Sequence, residues 1–288
     1  MSENPLSSLY RHKTIFLALP SNGKFYRSGI NLSVDNELGI MPMSVRDELL
    51  LKSPDSLFNG EAMIEVIKSC VPDIKNPEDV PVCDIDTIIL GIRAASNPEM
   101  EVISECPACK KESRFIVNLL SYISTVKRIP DDNTIKANQE TILELKPYTL
   151  KTLMKRRLQE FKFTKMEQSM RSMIKGNKSE EINEELLENI KKSLNDAYED
   201  TAKITVEIVA ESITKVTMTD RNIEVSDPDH ILDWVKNMDK NLYHKIVNKI
   251  SELNDNNIQK TTDTKCPNCN TSYKTTMEVN PVNFFTKE

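Results

Sequence analysis

Two short stretches of the same form, Cys106-Pro-Ala-Cys109 and Cys266-Pro-Asn-Cys269, stand 157 residues apart, counted from Cys109 to Cys266. A two-residue gap between cysteines bends the chain so that both sulfurs face one point, and two such knuckles supply four thiolates for a tetrahedral site. In a reducing compartment, paired CxxC motifs signal metal or redox chemistry rather than disulfides. A redox CxxC sits at a helix N-terminus and needs no twin. A catalytic zinc keeps an open position and normally uses His or carboxylate ligands, which four cysteines do not leave. Cys106, Cys109, Cys266 and Cys269 are therefore expected to hold one structural Zn2+ that stabilises folding and does not react.

The gap between the pairs is far longer than the ~15–20 residues of a compact ribbon. Two arrangements meet the sequence: one ribbon split by an insertion, or two unrelated half-sites. One ribbon is favoured, because two thiolates alone make an incomplete site and both flanks read as strands that could pair. The expected fold class is then α+β, with three parts. An N-terminal β and helical module covers residues 1–99, the split zinc ribbon 100–118 and 258–288, and a mainly helical insertion 119–257.

Composition narrows the function. With 38 basic and 44 acidic residues the net charge is -6, whereas a chain built for a phosphate backbone shows a basic excess. Nucleic acid is disfavoured as a partner on that ground. No stretch reaches the ~18 apolar residues of a membrane helix, and the apolar run Ile15–Leu19 is too short for a signal peptide. The expectation is a soluble protein of a reducing cytoplasm, with no membrane partner. Glycine is scarce, at 6 residues, and no phosphate-binding glycine loop occurs.

Along the chain, Thr14–Val34 reads as short strands and turns, with Ser21-Asn22-Gly23 a turn and Lys24-Phe25-Tyr26 the start of an extended piece. Ser44 is a helix N-cap with Asp47 three residues on, and that helix runs through Leu49–Leu51 to Pro54. Helices follow at Glu61–Cys70 and Cys83–Ala95, with Asp84 and Asp86 read as first-turn charges favoured by the helix dipole. Cys70 and Cys83 are read as packing residues. Met100–Val117 reads as strand, knuckle, strand, and Thr141–Lys146 as a strand.

Thr149–Lys175 is a long basic helix with Leu150, Leu153, Met154, Leu158 and Phe161 as its apolar stripe. Helical stretches at Glu180–Ser193 and Tyr198–Ile213, a hairpin at Val216–Val225, and helices from Pro228 and Leu242 come next. Asn254–Thr264 reads as a polar linker, and Ser272–Val279 as a last strand.

Nothing forms a catalytic constellation. His12, His230 and His244, the 3 histidines, pair with no nucleophile at a recognisable spacing, so no enzyme is expected. Lys151, Lys155, Arg156, Arg157, Lys162 and Lys165 cluster on one helix, either as a contact for an acidic partner or as a solvated face balancing the acidic stretch Glu180–Glu188.

The runs Leu19-Pro-Ser-Asn-Gly-Lys-Phe-Tyr26, Met41–Asp55 and Val66–Asp73, together with Asp84-Ile-Asp86, the isoleucine-rich helix after it and the first knuckle, resemble the T4-type bacteriophage baseplate hub family. The likeness is clear over Leu19–Leu119 and looser beyond. It implies a late viral protein of the baseplate hub in a contractile tail, assembled in the host cytoplasm and carried in the virion. Its implied neighbours are other hub, spike and tape-measure proteins, and it brings no catalytic residues. A transient tail-assembly chaperone and a zinc-ribbon nucleic-acid binder are the rival readings. Under this resemblance Leu19–Asp55, with Met41, Met43 and Leu49–Leu51, is expected to contact hub neighbours.

Overall fold

The computed structural model describes residues 4–52, 60–176, 184–255, 258 and 261–276. They form two compact units, the described residues of Met1–Pro130 with Asn254–Glu288, and Asp131–Leu253.

In the first unit, β1 (Ile15–Ala18) pairs antiparallel with β2 (Glu37–Ile40), Ile15 opposite Ile40. Only β1 falls within the stretch expected to hold short strands, and β2 lies just beyond it. Lys24-Phe25-Tyr26 is a turn rather than an extended piece, with Phe25 at φ 70°. Helix α1 (Val45–Leu51) starts at the expected cap: Ser44 and Asp47 exchange side-chain and backbone bonds in a capping box. Pro54, where that helix was expected to end, lies outside the described residues.

Helix α2 (Glu61–Cys70) buries Ala62, Met63, Val66, Ile67 and Cys70 on one face, as its spacing dictates. Helix α3 (Val82–Ser96) is the centre of the unit and buries ten of its 15 residues. Gly91 lets it lie on the β1–β2 pair: a Cβ there would meet Ile40 Cδ1 at 2.4 Å and Leu17 Cδ2 at 2.5 Å. Any side chain at that position would force the buried Ile40 and Leu17 side chains, or the helix itself, to shift.

From α3 the chain enters β3 (Glu99–Glu105), turns at the first knuckle and returns as β4 (Glu112–Asn118), paired from Glu99–Asn118 to Glu105–Glu112. Asn118 then caps the short helix α4 (Leu119–Ile123), accepting from the Leu120 N–H. The second knuckle joins β9 (Thr261–Lys265) to β10 (Ser272–Thr276), also antiparallel. The expected polar linker therefore ends in a strand. Of the expected Ser272–Val279 strand, the part from residue 277 on lies outside the described residues.

The second unit is built on a four-stranded antiparallel sheet in the order β5 (Thr134–Lys136), β6 (Thr141–Leu145), β7 (Ile213–Met218), β8 (Ile223–Val225). Between β6 and β7 run α5 (Leu150–Gly176) and α6 (Glu184–Glu211), each about 40 Å long at 1.5 Å per residue. They lie antiparallel: Thr152 bonds Glu211 at 3.3 Å, Lys155 pairs with Glu207 at 2.8 Å, and the rings of Phe163 and Tyr198 meet edge-on at 5.3 Å. The two helical stretches expected from 180 to 213 are one continuous helix over its described part, ending two residues before β7.

The expected stripe on α5 is corrected. Leu150 is buried and Leu153 and Met154 are half-buried as expected, but Leu158 and Phe161 are exposed, while Gln159, Phe163 and Met166 are half-buried in their place. Beyond its first turns α5 leans on α6, so the covered stripe follows that one neighbour rather than the sum of apolar positions. Helices α7 (Pro228–Asn237) and α8 (Lys240–Asn254) complete the unit; Ile231 and Val235 on the first, and Ile246 and Ile250 on the second, enter its core. Among the described residues no helix is long and apolar enough to cross a membrane.

Candidate metal centre

Each knuckle is shaped by the same backbone bonds. In the first, Lys110 N–H donates to Cys106 O at 2.9 Å and Cys106 N–H to Lys111 O at 3.0 Å. In the second, Asn270 N–H donates to Cys266 O and Cys266 N–H to Thr271 O, both at 2.9 Å. Lys110 and Asn270 both stand at φ 59°, the left-handed residue that reverses the chain into the returning strand. Asparagine tolerates that region readily; lysine does so at a small cost.

The two hairpins bring the four sulfurs together. Cys106 Sγ lies 3.6 Å from Cys269 Sγ, and Cys109 Sγ lies 3.7 Å from Cys266 Sγ, with all four atoms within 4.8 Å of one another. Metal–sulfur bonds of ~2.3 Å at tetrahedral angles put sulfurs about 3.8 Å apart. The quartet therefore fits a four-coordinate metal, with one sulfur of each pair set against one of the other. Cys106 and Cys266 are buried, Cys109 is half-buried and Cys269 exposed, so the site sits at the surface with its first cysteines rooted inside.

Electrostatics favour a cation here. Bonds from the Thr271 hydroxyl and then its N–H pull Cys269 down to about 6, and the N–H groups of Cys269 and Asn268 lower Cys266. Cys109 moves the other way, to about 11: the Lys111 amide lowers it, but burial and the neighbouring sulfurs outweigh that bond. Cys269 and Cys266 are thus drawn toward the thiolate form, while burial and its neighbouring sulfurs hold Cys109 back from it. A bound dication removes that limit.

Polar and aromatic contacts join the two hairpins around the sulfurs. The Thr275 hydroxyl donates to Ser104 Oγ at 3.0 Å and shares a 3.0 Å bond with Thr264 Oγ1. Phe115 and Tyr273 meet edge-on with ring centres 6.3 Å apart.

Two buried carboxylates nearby in sequence have roles that local pattern does not reveal. Asp84 was read as a helix-dipole charge, and it does lie in the first turn of α3, but it is fully buried. It accepts from Ser21 N–H and Tyr26 Oη, both at 2.8 Å, and from the Ser21 hydroxyl, so it fastens the Ser21–Tyr26 turn to the core. Burial without a facing cation raises Asp84 to about 6 despite these bonds. Asp47 instead meets the Arg11 guanidinium at 3.0 Å, and Arg11 Nη1 also donates to Pro42 O at 2.6 Å. Burial pushes Asp47 up, but bonds from Ser44 and Ser69 and the Arg11 charge win and hold it below its ordinary value.

Cys70 and Cys83 are packing residues, as expected. Burial first, and then Asp47, pushes Cys70 up to about 12; burial and Asp84 raise Cys83 as well, so both stay thiols. His12 is exposed ahead of β1, His230 is exposed in the first turn of α7, and His244 lies beside Tyr243 on α8. On the basic helix, Lys155 pairs with Glu207, Arg156 with Glu160, and Lys165 lies 5.5 Å from the Phe161 ring centre. Two of the six cations are thus met by acids of the same helix pair, and the stretch Glu180–Glu188 lies partly outside the described residues. In the Leu19–Asp55 segment, Leu51 enters the core while Val45 and Leu49, one turn apart on α1, are exposed.

A family model described as T4 bacteriophage base plate protein matches residues 12–286. That span includes both cysteine pairs and every strand and α-helix described in the two units. No curated protein matches the chain, and no solved structure does.

Proposed function

We propose that this chain, which belongs to the T4 bacteriophage base plate protein family, is a structural subunit of the baseplate hub and acts through protein–protein contacts. The family match supports a baseplate component of the virion tail; the hub position, and spike and tape-measure proteins as neighbours, are the finer parts of this reading. The match over 12–286 carries the proposal, because a likeness over nearly the whole chain ties both units to the same role.

Within that role, Cys106, Cys109, Cys266 and Cys269 bind one zinc ion. Four thiolates without histidine or carboxylate suit zinc, and bound zinc would supply the charge that lets all four ionise. The ion would then clasp the segment after α3 to the segment after α8, closing the first unit across everything inserted between them. No catalytic step is assigned to it, since four protein ligands leave no position for a substrate.

Tails purified after host lysis provide the test. Quantitative mass spectrometry should find the chain at a fixed ratio to other baseplate proteins. Its absence from finished tails, with presence in assembling lysates, would replace a structural subunit by a transient assembly chaperone. Elemental analysis of the purified chain should return about one zinc per molecule.

A further inference from the structure

Helix α5 has two faces. One lies against α6 and carries Thr152, Gln159, Phe163 and Met166. At about 100° per residue, a second stripe stands about a third of a turn further round. It consists of Lys151, Met154, Leu158, Phe161 and Lys165, spaced alternately three and four residues apart. That is the spacing by which one helix presents a seam to a second in a coiled coil. Met154 is half-buried, and beyond it Leu158 and Phe161 are each 40% exposed. The solvent face of an amphipathic helix is ordinarily polar, whereas here the middle of the stripe is a leucine and a phenylalanine one turn apart.

The flanks of the seam carry one sign of charge. In a coiled coil the residues just before and just after the seam positions set partner choice. Beside Leu158 and Phe161 those residues are Arg157 and Lys162, both exposed, and neither is ion-paired within the described residues. Lys162 also borders a cleft with Asp196 and Asp200 of α6, without an ion pair to either. Lys165 closes the seam, its ammonium 5.5 Å from the centre of the Phe161 ring. The two acids of α5, Glu160 and Glu167, lie on the far side of the helix, where Glu160 pairs with Arg156. In a chain of net charge -6 this is a local basic face with an apolar centre. A phosphate ladder would meet its cations and leave Leu158 and Phe161 in water. A helix with apolar residues at the same spacing and carboxylates beside them would satisfy both.

We propose that this face of α5 docks an acidic amphipathic helix of a partner protein, with apolar side chains packing on Leu158 and Phe161 and carboxylates meeting Arg157 and Lys162. This deepens the assembly reading above and rests on it.

The test uses the full chain and two fluorescein-labelled probes. One is three copies of the heptad Glu-Leu-Ala-Ala-Leu-Glu-Lys, and the other is its counterpart with glutamate and lysine exchanged. By fluorescence anisotropy the acidic peptide should bind saturably, about tenfold or more tighter than the basic one. Arg157→Glu with Lys162→Glu should reverse that preference, and Leu158→Gln with Phe161→Gln should weaken the acidic peptide about tenfold. Both pairs are on the surface, so the melting temperature should not change. Equal binding of the two peptides, or none up to about 200 μM chain, overturns the proposal. So does a charge-reversed variant that keeps the original preference. Unchanged affinity in the glutamine variant, or tighter binding of a DNA duplex of about 20 base pairs than of the acidic peptide, would make the face a site for polyanions and overturn it equally. Absence of the chain from finished tails would sink the structural-subunit reading while leaving the titration interpretable; a failed titration with the chain present in tails sinks only the α5 seam.

Discussion

The cysteine quartet and the carboxylate of Asp84 do similar work in the first unit by different means. Each fastens segments far apart in sequence: Cys106 faces Cys269, and Asp84 holds Ser21, 63 residues away. Asp84 is completed by its own chain, through one amide and two hydroxyls that bond an acid lacking a facing cation. The quartet is not, since four thiolates within 4.8 Å need a positive ion to coexist. A tie made of hydroxyls needs no bound ion, whereas a tie made of thiolates depends on metal supply and on proton competition.

The largest expected effect breaks the second tie. If the proposed zinc is there, Cys266→Ser should lose the metal that elemental analysis returns for the parent chain. Structural zinc is worth about 10–16 kcal/mol in small zinc-finger peptides, so a loss of several kcal/mol is expected here. Hydrogen exchange should locate it. The hairpin Thr261–Thr276 is threonine-rich and has only Cys266 and Thr275 among its fully buried residues, so it should lose protection first. The hairpin Glu99–Asn118, with Val117 and Ser113 buried as well as Cys106, should keep more of its own. Equal protection of the second hairpin in the parent and the variant would mean the polar contacts alone hold it.

The next effect sharpens the contrast from the side of the carboxylates. Asp47 has a facing cation where Asp84, among the described residues, has none, and its side chain is 5% exposed against Arg11 at 26%. Asp47→Ala removes the Arg11 partner and the α1 capping box together. Breaking a buried pair costs about 3–5 kcal/mol and losing a cap about 1 kcal/mol, so about 3 kcal/mol or more is expected in denaturant unfolding.

That contrast also explains what the sequence disclosed. The α+β class, the cap at Ser44, helices α2 and α3 and the two knuckles are written in neighbouring residues: a gap of two, or a period near 3.6. The Ser44–Asp47 box needs only three residues of context. The link from Asp84 to Ser21 and Tyr26, or from Arg11 to Asp47, joins groups 36 to 63 residues apart, and no local period records it. Asp84 in a first turn resembles any dipole-favoured acid, and only its burial distinguishes it. The α5 stripe failed for a related reason, because the neighbour that covers one face of a long helix is chosen by the tertiary fold.

The two carboxylates should also respond to pH with opposite signs. Asp84 stands at about 6 against an ordinary 3.8, so the folded state binds its proton more tightly than the unfolded chain. Its contribution is fullest below 3.8 and is lost as pH rises through about 6, a span that converts to about 3 kcal/mol at most. Asp47 is lowered, so its contribution is present above 3.8 and lost as pH falls below that value. Asp84→Asn should flatten the decline of first-unit stability between about pH 4 and pH 6, measured by denaturation at each pH. A slope unchanged by Asp84→Asn would mean that another group carries the proton.

The smallest expected effect isolates the polar contacts between the hairpins from the metal. Thr275 is 3% exposed, and its hydroxyl bridges Ser104 and Thr264. Thr275→Val keeps the branched shape and removes only that hydroxyl, leaving two partner hydroxyls to find other bonds. A neutral hydrogen bond is worth about 1 kcal/mol net, so a loss of about 1–2 kcal/mol is expected, with zinc content unchanged. If Thr275→Val also lowered the zinc content, the hydroxyl bridge would be positioning the sulfurs, and the metal and hydrogen-bond ties of this unit would be one device. If it lowered stability alone, the sulfurs would be set by their knuckles, as the matching backbone bonds at Cys106 and Cys266 imply.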